Sequence, residues 1–268
     1  MVRGTKMKLQ DFQEKKQRHE KITMITCYDY PTAKIAEASN IDAVLVGDTV
    51  SMVIHGHEST TAATIEMMAL HTKAVRRGIK TKFLVADMPF LSYRRSKYST
   101  MEVVYQLIQA GAEAVKLEGA EGNLDIINHI VDSGVPVMGH IGLTPQHINR
   151  FGGYKIQGKD KAAQKHLIEE AKALEAAGCF SVVLECIPTA LAKTITNSIN
   201  IPTIGIGAGP DTDGQILVWH DALGIQKDFK PRFVKYFQDG FSVLQDGINQ
   251  YVKEVKEQTY PDIDKHSY

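Results

Sequence analysis

Cysteine is scarce: 268 residues contain three, at positions 27, 179 and 186, with no Cys-x-x-Cys pair among them. An odd, widely spaced set leaves at least one thiol unpaired and makes no structural-zinc pattern, so reduced thiols in a cytoplasmic protein are expected. Long apolar runs are missing too. None approaches the ~18 residues needed to cross a bilayer, and the charged start MVRGTKMKLQDFQEKKQRHEK has no apolar signal core behind it, so neither membrane insertion nor export is expected. Neither sign of charge dominates: 31 Lys and Arg face 31 Asp and Glu, which argues against nucleic acid or an anionic membrane as partner. Low-complexity linkers and shifts of composition are absent as well. The chain therefore reads as one domain over 1–268, with a polar lead-in and a short polar tail.

What the chain does have is a core. Hydrophobic residues make up 43% and charged residues 23%, the balance of a soluble globular protein. Seven short runs rich in Val, Ile and Leu recur: ITMITC (22–27), AVLVGD (43–48), FLVADMP (83–89), AVKLEG (114–119), PVMGHIG (136–142), SVVLEC (181–186) and PTIGIGAG (202–209), with QILVWHDAL (215–223) as a less clean eighth. Near-continuous apolar runs of this length suit strands covered on both faces, as in a parallel sheet. Helical periodicity fills the gaps. The segment 64–78 stops at Gly78 as a C′ residue, 99–111 offers Ser99 as N-cap with Glu102 three residues on, and 161–178 is the strongest helix, closed by Gly178. After about residue 229 come further helices, the last amphipathic. Strand and helix alternating seven or eight times predict a (β/α)8 barrel with extra terminal helices over an open doubly wound sheet.

In such a barrel the active site lies where strands end. Four apolar runs end on an acid: Asp48, Asp87, Glu118 and Glu185. Side chains alternate along a strand, so Lys116 and Glu118 point the same way. One lysine is too little for several carboxylates crowded at one mouth, which calls for a raised pKa or a bound cation. With no His or Cys cluster at zinc spacing, oxygen ligands and Mg²⁺ suit best. Each acid alone has a plainer reading, as a helix cap or half of an ion pair; together at one face they point to a site.

Several words are more specific. VGDTVSMVIHGHEST (46–60), HTKAVRRG (71–78), ADMPF (86–90), AGAEAVKLEG (110–119), GHIGLTPQ (139–146), FGGYKIQG (151–158), VLECIP (183–188) and IGIGAGPDTDGQILVWHD (204–221) resemble the 3-methyl-2-oxobutanoate hydroxymethyltransferase family, from about residue 8 to 260–261. The resemblance implies a barrel of the phosphoenolpyruvate/pyruvate kind, one Mg²⁺ per subunit, and a homo-oligomer, commonly decameric. It places metal ligands on Asp48, Asp87 and Glu118, substrate contacts on Asp48, Thr49, Asp87 and Lys116, and the proton acceptor on Glu185. Its activity transfers a hydroxymethyl group from 5,10-methylenetetrahydrofolate to 3-methyl-2-oxobutanoate through a Mg²⁺-stabilised enolate, giving 2-dehydropantoate for pantothenate synthesis. Thr49 departs from the family's Gly-Asp-Ser; it keeps the hydroxyl and adds a methyl. Two rival readings are a folate-independent lyase or mutase on the same barrel, and a non-catalytic small-molecule sensor.

Other motifs divide between plainer and sharper roles. GIGAG (205–209) is followed at once by Pro210, so a tight turn is expected and dinucleotide binding is rejected. His140 is a secondary candidate, either a donor to a substrate or pterin oxygen or a satisfied structural histidine. His55 and His57 read as loop residues, and Cys186 as a packed thiol facing the helices. FGGYKIQG (151–158) is either a mobile cover over the mouth or a static turn.

Overall fold

Each apolar run forms a strand because both its faces find cover. The computed structural model describes residues 6–227 and 230–268; positions 1–5 of the charged lead-in and 228–229 of the C-terminal segment lie outside the described residues. In chain order come α1 (Leu9–Gln17), β1 (Ile22–Thr26), α2 (Tyr30–Ala38), β2 (Ala43–Val46), the one-turn α3 (Val50–Val53), α4 (Ile65–Gly78), β3 (Phe83–Asp87), α5 (Lys97–Gln109), β4 (Ala114–Lys116), α6 (Leu124–Asp132) and β5 (Val137–Gly142). The chain continues with α7 (Ile148–Phe151), α8 (Lys161–Ala176), β6 (Ser181–Glu185), α9 (Thr189–Ser198), β7 (Thr203–Ile206) and β8 (Gly214–Leu217). The strands close in sequence order, all parallel, β8 returning to β1. This is the expected (β/α)8 barrel.

Contacts divide the chain into two compact units, the barrel up to Val218 and a second unit, Trp219–Tyr268. The second holds α10 (Trp219–Ala222), α11 (Gly240–Lys256) and α12 (Ile263–His266). The eighth run is therefore shorter than 215–223: its strand stops at Leu217, and Trp219 already begins a helix. Along α11 the apolar residues Phe241, Leu244, Ile248, Tyr251 and Val255 recur at helical spacing and stay exposed.

Period-two alternation gives the barrel its polarity. On β3 the inward series is Phe83, Val85, Asp87; on β4 and its extension it is Ala114, Lys116, Glu118; on β5, Met138 then His140; on β6, Val183 then Glu185. The first members of each series belong to one buried apolar cluster, and the last line a polar cavity. Beneath the cluster, Phe12 of α1 stacks edge-to-face on Phe83 and Phe180 at 5.3 and 5.2 Å, beside the strand starts, and seals that end. The buried charged side chains Asp48, Asp87, Lys116, Glu118 and His140 gather at the other.

Two helix boundaries differ from expectation. Ser96, not Ser99, caps α5: its hydroxyl accepts from the Ser99 amide at 3.2 Å, so the helix starts earlier and Ser99 lies within its first turn. Gly78 is the last residue of α4 rather than a left-handed C′ residue. A Cβ there would meet Ala33 Cβ of α2 at 2.5 Å, so the glycine serves close helix packing.

Candidate active site

Asp48, Thr49, Asp87, Lys116, Glu118, His140 and Glu185 all line one cavity of about 60 Å³ at the strand ends. The parallel register sets Asp87 beside Lys116 on adjacent strands, and their charged atoms stand 2.7 Å apart, Lys116 Nζ to Asp87 Oδ1. Angles there are poor, so Oδ1 receives no well-directed hydrogen bond despite its burial. The other oxygen, Oδ2, accepts from the Asp48 amide at 3.0 Å. His140 bridges two acids: Nδ1 lies 3.4 Å from Glu118 Oε1 and Nε2 3.2 Å from Glu185 Oε2. The latter contact is short but misaligned. Thr49 Oγ1 and the Tyr28 hydroxyl are 2.6 Å apart, which fixes the hydroxyl expected to meet a substrate carboxylate.

Gln146 was not among the predicted site residues, although it closes the word GHIGLTPQ. Its Nε2 donates to Asp48 Oδ2 at 2.8 Å and to the Met88 carbonyl at 3.0 Å, while its backbone N–H donates to Glu118 Oε2 at 3.0 Å. The Tyr93 hydroxyl donates to Gln146 Oε1 at 2.7 Å and so fixes the amide's orientation. Asn123 Nδ2 holds the Glu118 and Gly119 carbonyls.

Asp48, Asp87, Lys116, Glu118 and His140 are each no more than 4% exposed, so their charges set one another's state. Burial lifts the Asp48 carboxyl well above its usual value, and Asp87 and Glu118 add like charge. Asp87 is raised too, burial outweighing Lys116. Glu118 moves the other way: burial raises it, but the His140 hydrogen bond and charge overcome this. Burial and Lys116 push His140 down, yet the flanking Glu118 and Glu185 carboxylates prevail and its pKa rises to about 9. His140 Nδ1 also lies 3.4 Å from Lys116 Nζ, a contact whose donor and acceptor depend on the imidazole's tautomer and charge. Burial opposes the charge on Lys116, but the three acids hold the ammonium above its ordinary value.

Could these residues hold a divalent ion? Among the described residues, no three His, Cys, Asp or Glu side chains already form a metal-binding group. Lys116 and Gln146 occupy the intervening positions, so Asp48, Asp87 and Glu118 share one buried space without forming a cage. Their chemistry nonetheless fits a hard cation: three buried carboxylates, an acceptor at Asp87 Oδ1 with no well-directed donor, and two carboxyls raised chiefly by burial.

The remaining motifs take plainer places. His55, on an exposed turn, pairs with the partly buried His71 of α4 through Nε2 atoms 2.9 Å apart, and His57 is exposed. From β7 the chain passes to β8 with no helix between them, so GIGAG lacks the strand-to-helix turn a dinucleotide needs. Cys186 is half-buried, and burial followed by Glu185 pushes its thiol up to about 12, which leaves no thiolate nucleophile at neutral pH. In the 151–158 loop, Tyr154 reaches Met52 beyond β2, hydroxyl to Sδ 3.9 Å.

Residues 6–263 match the family model described as ketopantoate hydroxymethyltransferase. A 3-methyl-2-oxobutanoate hydroxymethyltransferase of Francisella tularensis subsp. tularensis (strain WY96-3418) is 59% identical over 250 residues, covering 93% of this chain and 94% of that protein. One from Legionella pneumophila (strain Paris) is 55% identical over 263 residues, covering 98% and 100%. A phosphoenolpyruvate phosphomutase structure from Streptomyces platensis subsp. rosaceus superposes with a TM-score of 0.63 at 11% identity, over 97% of this chain and 91% of that one, a likeness of fold alone.

Proposed function

Because this chain belongs to the ketopantoate hydroxymethyltransferase family, we propose that it transfers a one-carbon unit from 5,10-methylenetetrahydrofolate to C3 of 3-methyl-2-oxobutanoate, giving 2-dehydropantoate and tetrahydrofolate. The observation that carries this reading is the convergence of Asp48, Asp87, Glu118, Lys116 and the His140–Glu185 pair on one small cavity at the strand ends. Asp48, Asp87 and Glu118 would hold one Mg²⁺ per subunit. When bound, the ion supplies a Lewis acid beside the 2-oxo group, which makes the neighbouring C3–H more acidic.

The chain's own residues carry the rest. Lys116 and the Thr49 hydroxyl bind the substrate carboxylate and orient the acid. Glu185 removes the C3 proton, and His140 Nε2, 3.2 Å away, positions the Glu185 carboxylate. The C3 carbanion forms the new C–C bond to the methylene carbon. Both C–N bonds to that carbon break; the folate nitrogens gain the C3 proton and one hydrogen of a water, whose remaining OH becomes the product hydroxyl. Buried walls keep other water from quenching the carbanion.

This reading includes a decameric homo-oligomer acting in the cytoplasm on two small molecules, without nucleic acid or membrane, and with the chemistry in a single (β/α)8 domain. Sedimentation of the purified protein tests the assembly. Among the described residues no helix is long and apolar enough to cross a membrane. The decisive assay supplies 3-methyl-2-oxobutanoate and Mg²⁺ with and without methylenetetrahydrofolate. Deuterium exchange at C3 should proceed without folate and product should require it; turnover to other products without folate would overturn the reading in favour of a lyase or mutase. Glu185→Gln should keep substrate and metal binding but lose about a hundredfold or more in turnover. An undiminished rate would remove Glu185 from the base role.

A further inference from the structure

The cavity at the barrel axis is small, about 60 Å³. A second, of about 630 Å³, lies between the loops that follow β3, β4 and β5 and the first half of α8. Its inner wall is the reverse side of the site's own backbone: Gly119 follows Glu118, Ile141 follows His140, and Thr144 and His147 flank the Pro145–Gln146 pair. Thr144 of this cavity is followed at once by Pro145 of the axial one, so a ligand lodged there is one residue removed from the site along the chain. We propose that this cavity holds the p-aminobenzoylglutamate half of the folate co-substrate, its carboxylates on Arg94 and Arg150, leaving the pterin end free to reach the mouth. The inference rests on the function proposed above and assigns it a second binding site.

Three observations support this occupant. The lining offers an apolar bed for an aromatic ring, with Ile141 and Leu167 buried and Phe90 and Leu91 beside them. Leu91 is held at φ 61°, in the left-handed region, while its side chain stays 45% exposed; strain that presents an apolar residue to solvent belongs at a ligand site more than at a neutral turn. Next, Arg94 and Arg150 have no carboxylate partner among the described residues, Arg94 donating only to the Glu121 carbonyl at 3.2 Å. Both guanidinium charges act on His147, so they converge on one space. Of the two lining acids, Glu170 already faces His166 at 3.6 Å, and Glu121 remains. Lastly, an adjoining cavity of about 280 Å³ shares Arg94 and Gly122 and adds Arg95 and Lys97 against Asp125. A Cβ on Gly122 would come within 3.1 Å of Arg94 Nη1, so the glycine leaves room for the guanidinium. Paired carboxylates on guanidinium forks, with a basic track beyond for further glutamates, match this lining. Binding energy far from the reacting carbon would position the one-carbon unit.

The test measures KM for methylenetetrahydrofolate in Arg94→Ala and Arg150→Ala, with folate-free C3 deuterium exchange as the report on the barrel centre and on folding. A KM raised about tenfold or more in either variant, with exchange retained, supports the proposal, as does competition by p-aminobenzoylglutamate against folate but not against the oxo acid. Arg95→Ala with Lys97→Ala should narrow the KM gap between mono- and triglutamate forms. Unchanged KM in both arginine variants with exchange intact overturns it, and so does competition by inorganic phosphate as effective as that by p-aminobenzoylglutamate, which marks a general anion site. A wild-type enzyme showing neither C3 exchange nor folate-dependent product instead removes the function on which the inference stands.

Discussion

Gln146 serves two acids at once. Its side chain restrains Asp48 and its backbone restrains Glu118, while Tyr93 keeps the amide from turning over. Replacing it with Leu removes the side-chain bond, leaves the backbone bond, and frees Asp48 to turn away. Gln146→Leu should therefore weaken Mg²⁺ binding by about 10–100-fold, read by direct metal titration; unchanged affinity would show that Asp48 needs no restraint. Residues of this kind are hard to find in a sequence. Asp48, Asp87, Lys116, Glu118 and Glu185 stood out because a charge at the end of an apolar run breaks the local pattern. Gln146 and Tyr93 follow strand ends in turn sequence, and Gln146 meets Asp48 from 98 positions away and Tyr93 from 53. His140 lay between the two cases, since the strand pattern aimed it inward without showing that two carboxylates waited there.

Among the elements, strands were the most legible, because burial on both faces leaves an apolar run that little else explains. Helix ends were less so. Ser96 and Ser99 are equally good caps in isolation, and whether Gly78 turns the chain or admits a neighbour depends on where Ala33 lies. Glu37 shows how such junctions are held. From α2 it accepts from the Lys80 and Thr81 amides at 3.0 and 3.1 Å and from the Thr81 hydroxyl at 2.9 Å, fastening the approach to β3. Partial burial raises its carboxyl, but these bonds win and its pKa is lowered. A lowered native value means the stabilisation is present above the ordinary carboxylate range and is lost as pH falls through the native pKa. Glu37→Gln should thus cost about 1 kcal/mol at pH 7, limited by the group's partial exposure, with the difference shrinking towards pH 3. Urea unfolding at the two values decides; an equal loss at both would assign the effect to shape rather than charge.

For the molecule as a whole, the βα rhythm announced the barrel, whereas the division at Val218 left no mark in composition. The barrel's fully buried acids outnumber the lysine beside them, and burial lifts the carboxyls of two of them. Anything that neutralises them should stabilise the native state. With Mg²⁺ at a hundred times its Kd the gain is about 2.7 kcal/mol, seen as a higher Tm that EDTA reverses without unfolding the barrel. No shift across a Mg²⁺ series would mean that the acids are satisfied by Lys116 and His140 alone.

The inward series that runs from Phe83 through Val85 to Asp87, and from Val183 to Glu185, has one more consequence. Removing a single amino acid from such a ladder would swing its acid out among the helices and turn an outward aliphatic group towards the axis. Lengthening the loop just above would disturb neither. Tolerance of small insertions and deletions should change abruptly at Asp87 and Glu185, so a deletion scan could trace the boundary between scaffold and chemistry along the chain without any knowledge of the reaction.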